Sequence, residues 1–420
     1  MGINVVDSIM GSGKSSWARN MINSSPNEKF IYITPYLDEV DNVINNCPNF
    51  EQPQEHTEDG ETCLKQDSFH ELLAQGKNIV STHQLFKLST SETVELLKKQ
   101  NYTIICDEVL DVVNYSEINR HDLKIAIDAD ICRIDDDNYL VWNDELTFDD
   151  NKKYRGQNYR RLKILCKSRS IFLVNGQALV WIFPPKIFKY FKNIYILTYL
   201  FDAQIMKFYF DLYGFAYEKY RVIEPMLKQY ELIKRDKYVE DTSNLKNLID
   251  ICSKGKINDI GTVSTKEDNA YTRLSKTWFE HRATNNDLDQ LRKNLENFFK
   301  SYCGTTVEYN LWTTFVDYRD NLKGRRYPDF LAHNSRAINE YRHKTCVAYV
   351  LNKYMHRSVV DFFKSKGIKI DKATESQYAL SEMLQFLFRS AIRDNRNIKL
   401  YIPSCRMRGL LKEWLGIPKK

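Results

Sequence analysis

The chain has 420 residues, 43% of them hydrophobic and 13% aromatic, with 61 Lys and Arg against 55 Asp and Glu. This is enough apolar material for two domain cores of ordinary size. The nine cysteines are scattered without a Cys-x-x-Cys pair, so neither a zinc ribbon nor a disulfide framework is indicated, and a reducing compartment fits best. No apolar run approaches the ~20 residues needed to span a bilayer, and no charged-then-apolar leader opens the chain. A soluble cytoplasmic protein, with no membrane partner, is the expectation.

In chain order, the first predicted strand is Ile3–Val6, and a helical stretch begins at Ser15 and runs to Ile22. Between them lies Asp7-Ser8-Ile9-Met10-Gly11-Ser12-Gly13-Lys14-Ser15-Ser16. Gly11 and Gly13 let the backbone curl so that successive N–H groups, from Met10 to Ser16, point at a polyphosphate. Lys14 reaches the outer phosphates, the Ser15 hydroxyl ligates Mg²⁺, and the helix adds its positive end. Ser8 stands where such loops usually have their first glycine. ATP and Mg²⁺ are the cofactors this pattern predicts.

Further apolar, strand-like runs follow at Phe30–Ile33, Asn78–Val80, Tyr102–Cys106 and Asn193–Leu197, with helical patterns at His70–Gln75 and Thr93–Gln100. Near-continuous apolar strands with helical crossovers predict a parallel sheet covered on both faces. Ligands on such sheets bind beyond the carboxyl ends of the strands. The third of these runs ends in Asp107-Glu108, about ninety residues after Lys14. Asp107 is suited to the Mg²⁺ shell, and Glu108 to orienting and deprotonating an attacking water.

Residues 110–160 break the alternation. Arg133–Trp142 reads as a hairpin around an Asp/Asn turn, followed by an acidic tract, Asp144–Asp150, and a basic one, Lys152–Arg169. The basic tract has two open readings, a phosphate-backbone contact and an exposed helix face. Residues 201–300 are mostly helical in pattern. Leu311–Val316, Thr345–Val350 and Ile398–Ile402 look like strands of a second α/β unit. Spacings of four in Gln385-Phe386-Leu387-Phe388-Arg389-Ser390-Ala391-Ile392-Arg393 place Gln385, Arg389 and Arg393 on one face of a predicted helix. Arg406 and Arg408 bind a phosphate backbone or cap a surface. Residues 1–150 carry a net charge of −17 and residues 151–420 one of +23, a split that points to a polyanionic partner for the second part.

With these motifs in place the chain resembles a superfamily 2 helicase of the DEAD/DEAH-like kind, nearest to the phage and viral replication ATPases. Gly11–Ser15 matches motif I and Asp107-Glu108-Val109-Leu110 resembles motif II. Thr34-Pro35-Tyr36-Leu37 resembles motif Ia, Ser81-Thr82-His83-Gln84 motif Ib, and Thr198-Tyr199-Leu200 sits where motif III is found. Gln385 and Arg389 are in register with motif VI, and Arg393 falls one residue late. Asn334–Glu340 resembles the motif V region, and Trp312–Phe315 motif IV. The resemblance implies an α/β fold of two RecA-like P-loop NTPase lobes in tandem, with parallel sheets flanked by helices and a helical segment between them. The expected domains are 1–205, the ATP-binding lobe, and 206–420, the second lobe with a helical insertion near 240–305. It further implies Lys14, Glu108, Gln385, Arg389 and Arg393 as the residues acting on ATP. Thr34, Pro35, Tyr36, Thr82, His83, Arg336 and Asn339 are implied as contacts to nucleic acid, with single-stranded or forked DNA ahead of RNA. Replication proteins are implied as further partners, and the host cytoplasm as the location. The function so expected is a nucleic-acid-dependent ATPase or helicase of phage replication or recombination. Three rivals are an ATP-driven clamp that does not unwind, a small-molecule kinase and a packaging ATPase.

Overall fold

The computed structural model describes residues 2–418 apart from 36, 59–60, 117, 145–156, 237, 254, 265–268 and 334–338. Tyr36 and Arg336, the acidic stretch from 145 and the start of the basic tract therefore lie outside the described residues. The chain divides into two units. One is Met1–Ser8, Ser12–Asp236 and His356–Ile370; the other is Ile9–Gly11, Lys237–Met355 and Asp371–Lys420.

The first unit is built on an eight-stranded sheet. In space it runs Gln229–Lys234, Glu218–Met226, Gly2–Asp7, Asn193–Thr198, Tyr102–Asp107, Lys29–Thr34, Asn78–Thr82 and Phe50–Glu51. All neighbours are parallel except the edge pair Glu218–Met226 and Gln229–Lys234. The five strands expected from apolar runs are all present, each a residue or two longer than its run. The register sets Asp7 beside Thr198 and Leu197 beside Asp107, so the ends of three adjacent strands form one rim. The helix Lys14–Asn23 follows the first strand and buries Trp17, Ala18 and Ile22 against Val6, Tyr32, Val80, Ile105 and Leu197. That apolar stripe, at spacings of one and four, is what seats the helix.

Residues 113–182 hold a three-stranded antiparallel sheet, Ile171–Val174, Ala178–Ile182 and Val113–Tyr115, and the hairpin of Cys132–Ile134 with Leu140–Trp142. The hairpin is the one expected from the Asp/Asn turn. A helix much later in the chain, Arg357–Ser365, packs on this sheet: Phe362 lies edge-on to Phe172 at 5.2 Å, and Lys366 sits 4.3 Å over the Phe172 ring.

The second unit carries a four-stranded parallel sheet in the order Ile249–Ile251, Ile398–Tyr401, Cys346–Tyr349, Asn310–Thr313. Three of these are the expected strands. The first ends at Thr313, short of the expected Val316, because Thr314 turns its hydroxyl onto the Val350 carbonyl and Val316–Tyr318 form a 3-10 turn.

Three expectations are revised. The first unit runs past residue 205 to Asp236, because Glu218–Met226 pairs with the first strand and extends its sheet. Residues 201–300 are therefore not mostly helical. Among the described residues the stretch near 240–305 holds the α-helices Ser243–Leu248, Lys276–His281 and Asn285–Asn297, a 3-10 helix, Lys256–Gly261, a π-helical turn, Phe298–Cys303, and an edge strand of the second sheet, Ile249–Ile251.

Candidate functional site

The loop after Gly2–Asp7 turns on two glycines in the left-handed region, Gly11 at φ 82 and Gly13 at φ 90. Gly13 is the N-cap of the helix and supplies no side chain to it. The first-turn N–H groups of that helix thus face the loop with no side-chain cap, an arrangement that favours an anion. Lys14 is 8% exposed and folds across the loop, its Nζ donating to the Ser8 carbonyl at 2.6 Å.

Ser8 accounts for its own departure from glycine. Its hydroxyl, 4% exposed, accepts from the Val222 backbone N–H at 2.8 Å and ties the edge hairpin to the loop. Asp7 is a second tie. Its carboxylate lies 3.3 Å from the Arg235 guanidinium and accepts from the Leu200 N–H at 2.8 Å. Burial pushes the Asp7 carboxyl up and the Arg235 charge pulls it back.

Asp107 ends its strand directly opposite the loop. The Ser15 hydroxyl lies 3.2 and 3.4 Å from its two carboxylate oxygens, and the Tyr32 hydroxyl donates to Oδ2 at 3.0 Å. Burial raises the Asp107 carboxyl; the bond from Tyr32, the charge on Lys14 and the bond from Ser15 act against it. A hydroxyl and a carboxylate converging beside an anion-binding loop are the hard oxygen donors that Mg²⁺ takes together with substrate phosphates. Ser15 and Asp107 are therefore the residues that fit Mg²⁺. Among the described residues no three or more His, Cys, Asp and Glu side chains group into a metal site of their own.

Glu108 follows with φ 71, a region a non-glycine residue rarely takes, held by its N–H on the Leu197 carbonyl at 2.9 Å. Its side chain is half-buried. The sequence missed four contributors to this site, Tyr32, Ser8, Arg235 and Tyr230. The last packs on Gly13: a Cβ there would lie 2.2 Å from the Tyr230 ring. The alternation of Gln229-Tyr230-Glu231-Leu232-Ile233-Lys234 was the available signal for its strand.

Of the residues expected at nucleic acid, Thr34 is fully buried, His83 is 4% exposed and Pro35 is half-buried. Thr82 caps a short helix, accepting from the Leu85 N–H at 3.3 Å. Asn339 opens a 3-10 turn. In the second unit the expected helical face of Gln385, Arg389 and Arg393 does not form. The helix Lys372–Leu387 ends before Arg389, because the Ser390 hydroxyl takes the Leu387 carbonyl at 2.6 Å and Phe388 leaves helical geometry. Gln385 sits in the last turn, Arg389 in the bend at 9% exposure, and Arg393 in the 3-10 turn Ala391–Asp394.

Arg406 and Arg408 are neither backbone binders nor surface caps. Arg408 donates to the Ile402 and Pro403 carbonyls, Asn258 and Thr262 at 2.5–3.1 Å. Arg406 donates to Asn352 at 3.0 Å and the Lys353 carbonyl at 2.6 Å, with its guanidinium 4.1 Å over the Tyr354 ring. Both hold the second unit together.

Residues 243–415 match the YonV C-terminal Rossmann-like domain, and residues 113–181 the YonV middle domain. The chain is 41% identical over 419 residues to the SPbeta prophage-derived protein YonV of Bacillus subtilis (strain 168), spanning 98% of both chains. Among solved structures it is similar to apo XPD, with a TM-score of 0.51 and 12% identity over 99% of this chain and 96% of that one. The likeness is one of fold: mixed α/β, with Rossmann-like domains in tandem and a middle domain.

Proposed function

This chain belongs to the YonV family, and we propose that it acts there as a nucleic-acid-dependent ATPase of the superfamily 2 helicase kind. One observation carries the reading. The Ser15 hydroxyl, at the start of an uncapped helix, meets the Asp107 carboxylate across 92 residues of sequence. No packing need accounts for a polar pair at that rim beside Lys14, whereas a nucleoside triphosphate with its cation does. Fold similarity to a helicase supports the reading at the level of architecture, and the prophage origin of the relative supports a role in phage replication or recombination, in the host cytoplasm.

In this proposal Lys14 and the loop N–H groups from Met10 to Ser16 bind the phosphates of ATP. Ser15 and Asp107 hold Mg²⁺, which supplies charge neutralisation on the outer phosphates when bound. Glu108 accepts a proton from the attacking water. Gln385, Arg389 and Arg393 are assigned to ATP hydrolysis on motif register alone. The basic second part of the chain supports a strand of single-stranded or forked DNA held through its phosphates, with little sequence preference.

The test is steady-state ATPase of the purified chain alone and with single-stranded DNA, forked DNA, duplex DNA and RNA. Stimulation by one or more nucleic acids is expected, with strand displacement on the fork. Turnover that no nucleic acid changes would favour the small-molecule kinase, and stimulated turnover without displacement the clamp.

A further inference from the structure

We infer that Tyr230 is the stacking platform for the base of the bound nucleotide, and that the hairpin Glu218–Met226 and Gln229–Lys234 is the base-reading wall of the site. The inference rests on the nucleotide reading above and adds the part that phosphate contacts cannot supply.

The hairpin stands beside the loop and rises past it. Its first strand pairs in register with the loop strand, Asn4 with Glu218 and Val6 with Tyr220. Val222 is pinned to Ser8, so Ile223 to Met226 lie beyond the level at which the loop begins. The turn at the top, Leu227-Lys228, is uncovered, with Met226 62% and Leu227 85% exposed. The second strand brings Tyr230 back down onto the loop. Its ring packs on the Gly13 α-carbon so closely that a Cβ there would meet Cε1 at 2.2 Å and Cδ1 at 2.5 Å.

Direction along the loop decides the assignment. The Ser15–Asp107 pair lies toward the strands Asn193–Thr198 and Tyr102–Asp107, on one side of the loop strand. The hairpin lies on the other side. A nucleoside triphosphate with its terminal phosphates at Ser15 and Asp107 extends its sugar and base away from that pair, toward the hairpin. The aromatic ring packed against the loop on that flank is Tyr230. An aromatic face stacks any base, purines with the larger overlap, without hydrogen-bond readout. The ties at Ser8–Val222 and Asp7–Arg235 make the distance from ring to loop a fixed quantity, so Ser8 and Arg235 are positioning residues for the wall.

Tyr230 also touches the core under the helix, so the experiment must separate a ring that stacks a base from one that shapes the loop. Inorganic tripolyphosphate has the phosphates of ATP and no base. Its dissociation constant and that of ATP, both with Mg²⁺, are measured by titration calorimetry on the full chain and on Tyr230→Ala, Tyr230→Phe and Tyr230→Trp. Wild type should bind ATP more tightly than tripolyphosphate. Tyr230→Ala should weaken ATP about tenfold or more and leave tripolyphosphate unchanged, while Phe and Trp retain the ATP affinity. Equal weakening of both ligands would make Tyr230 a loop-shaping residue and overturn the inference, as would an Ala variant that binds both normally. A wild type that binds both ligands equally well overturns base reading and leaves the phosphate loop standing. A wild type that binds neither overturns the nucleotide reading itself.

Discussion

Lys14 is almost enclosed, and its ammonium donates to a loop carbonyl, that of Ser8. A cation held across the loop in this way stands at the mouth that the loop N–H groups open toward a phosphate. Lys14→Ala is expected to abolish ATP turnover while far-ultraviolet circular dichroism and the melting temperature stay near wild type; normal turnover in the folded variant would remove the phosphate-loop assignment. Glu108 makes a different demand. An amide in its place still orients water and cannot take its proton, so Glu108→Gln should bind ATP and hydrolyse it on the order of 10²-fold more slowly. Wild-type turnover in that variant would assign the base elsewhere. His333 shows how one half-buried ring sets a pH window. Burial, with the Lys353 charge beside it, pushes its pKa down to about 3, so the folded chain keeps it neutral. The unfolded chain takes up that proton near pH 6.5, so folding stability is lost as pH falls from there toward 3. The slope is up to about 1.4 kcal/mol per unit from this group. His333→Gln should flatten that limb of a urea-melt series, and an unchanged limb would mean the ring is solvated.

At the scale of elements, two segments do work that their sequences disguise. The edge hairpin Glu218–Met226 and Gln229–Lys234 is fastened to the loop at Ser8 and Asp7. Ser8→Ala strands the Val222 N–H inside the fold and should cost about 1–2 kcal/mol, with ATP bound more weakly because the hairpin loosens; calorimetry and a denaturant melt on the same variant check both. The final helix, Cys405–Trp414, carries Arg406 and Arg408 inward. Arg408→Met leaves two carbonyls, an amide and a hydroxyl short of their donor and should destabilise the chain by on the order of 3 kcal/mol. Nucleic-acid affinity below the melting range should not change. A variant that melts normally and binds DNA poorly would return Arg408 to the surface role.

For the whole molecule the charge split is the controlling quantity. With −17 on residues 1–150 and +23 on the rest, a phosphate backbone is attracted by one part of the chain and repelled by the other. Binding of a labelled oligonucleotide should weaken steeply and log-linearly with rising NaCl and vary little with sequence. A flat salt response, or one strongly preferred sequence, would count against phosphate-dominated binding.

What the sequence by itself determined was the part written in contiguous residues. The runs at Ile3, Phe30, Asn78, Tyr102 and Asn193 are apolar and short enough to be only buried strands. Each polar cluster follows one directly, so parallel order alone carries Ser15 and Asp107 to one rim. The glycines at 11 and 13 announced the loop because only glycine sits easily at positive φ. What the tertiary structure alone decided concerns partners far apart in the chain. Ser8 reads as a defect in a glycine motif until Val222, 214 residues on, is seen to donate to it. Arg408 reads as a surface charge until Asn258 and two carbonyls enclose it. Gln385, Arg389 and Arg393 have helical spacing, but a hydroxyl at Ser390 competes for the backbone and ends the helix first. The edge hairpin offers only a short polar–apolar alternation at a sheet margin, and the apolar run that marks a buried strand is absent there. Local sequence sets backbone preference and periodicity; which distant donor finds which acceptor is settled only when the strands pair.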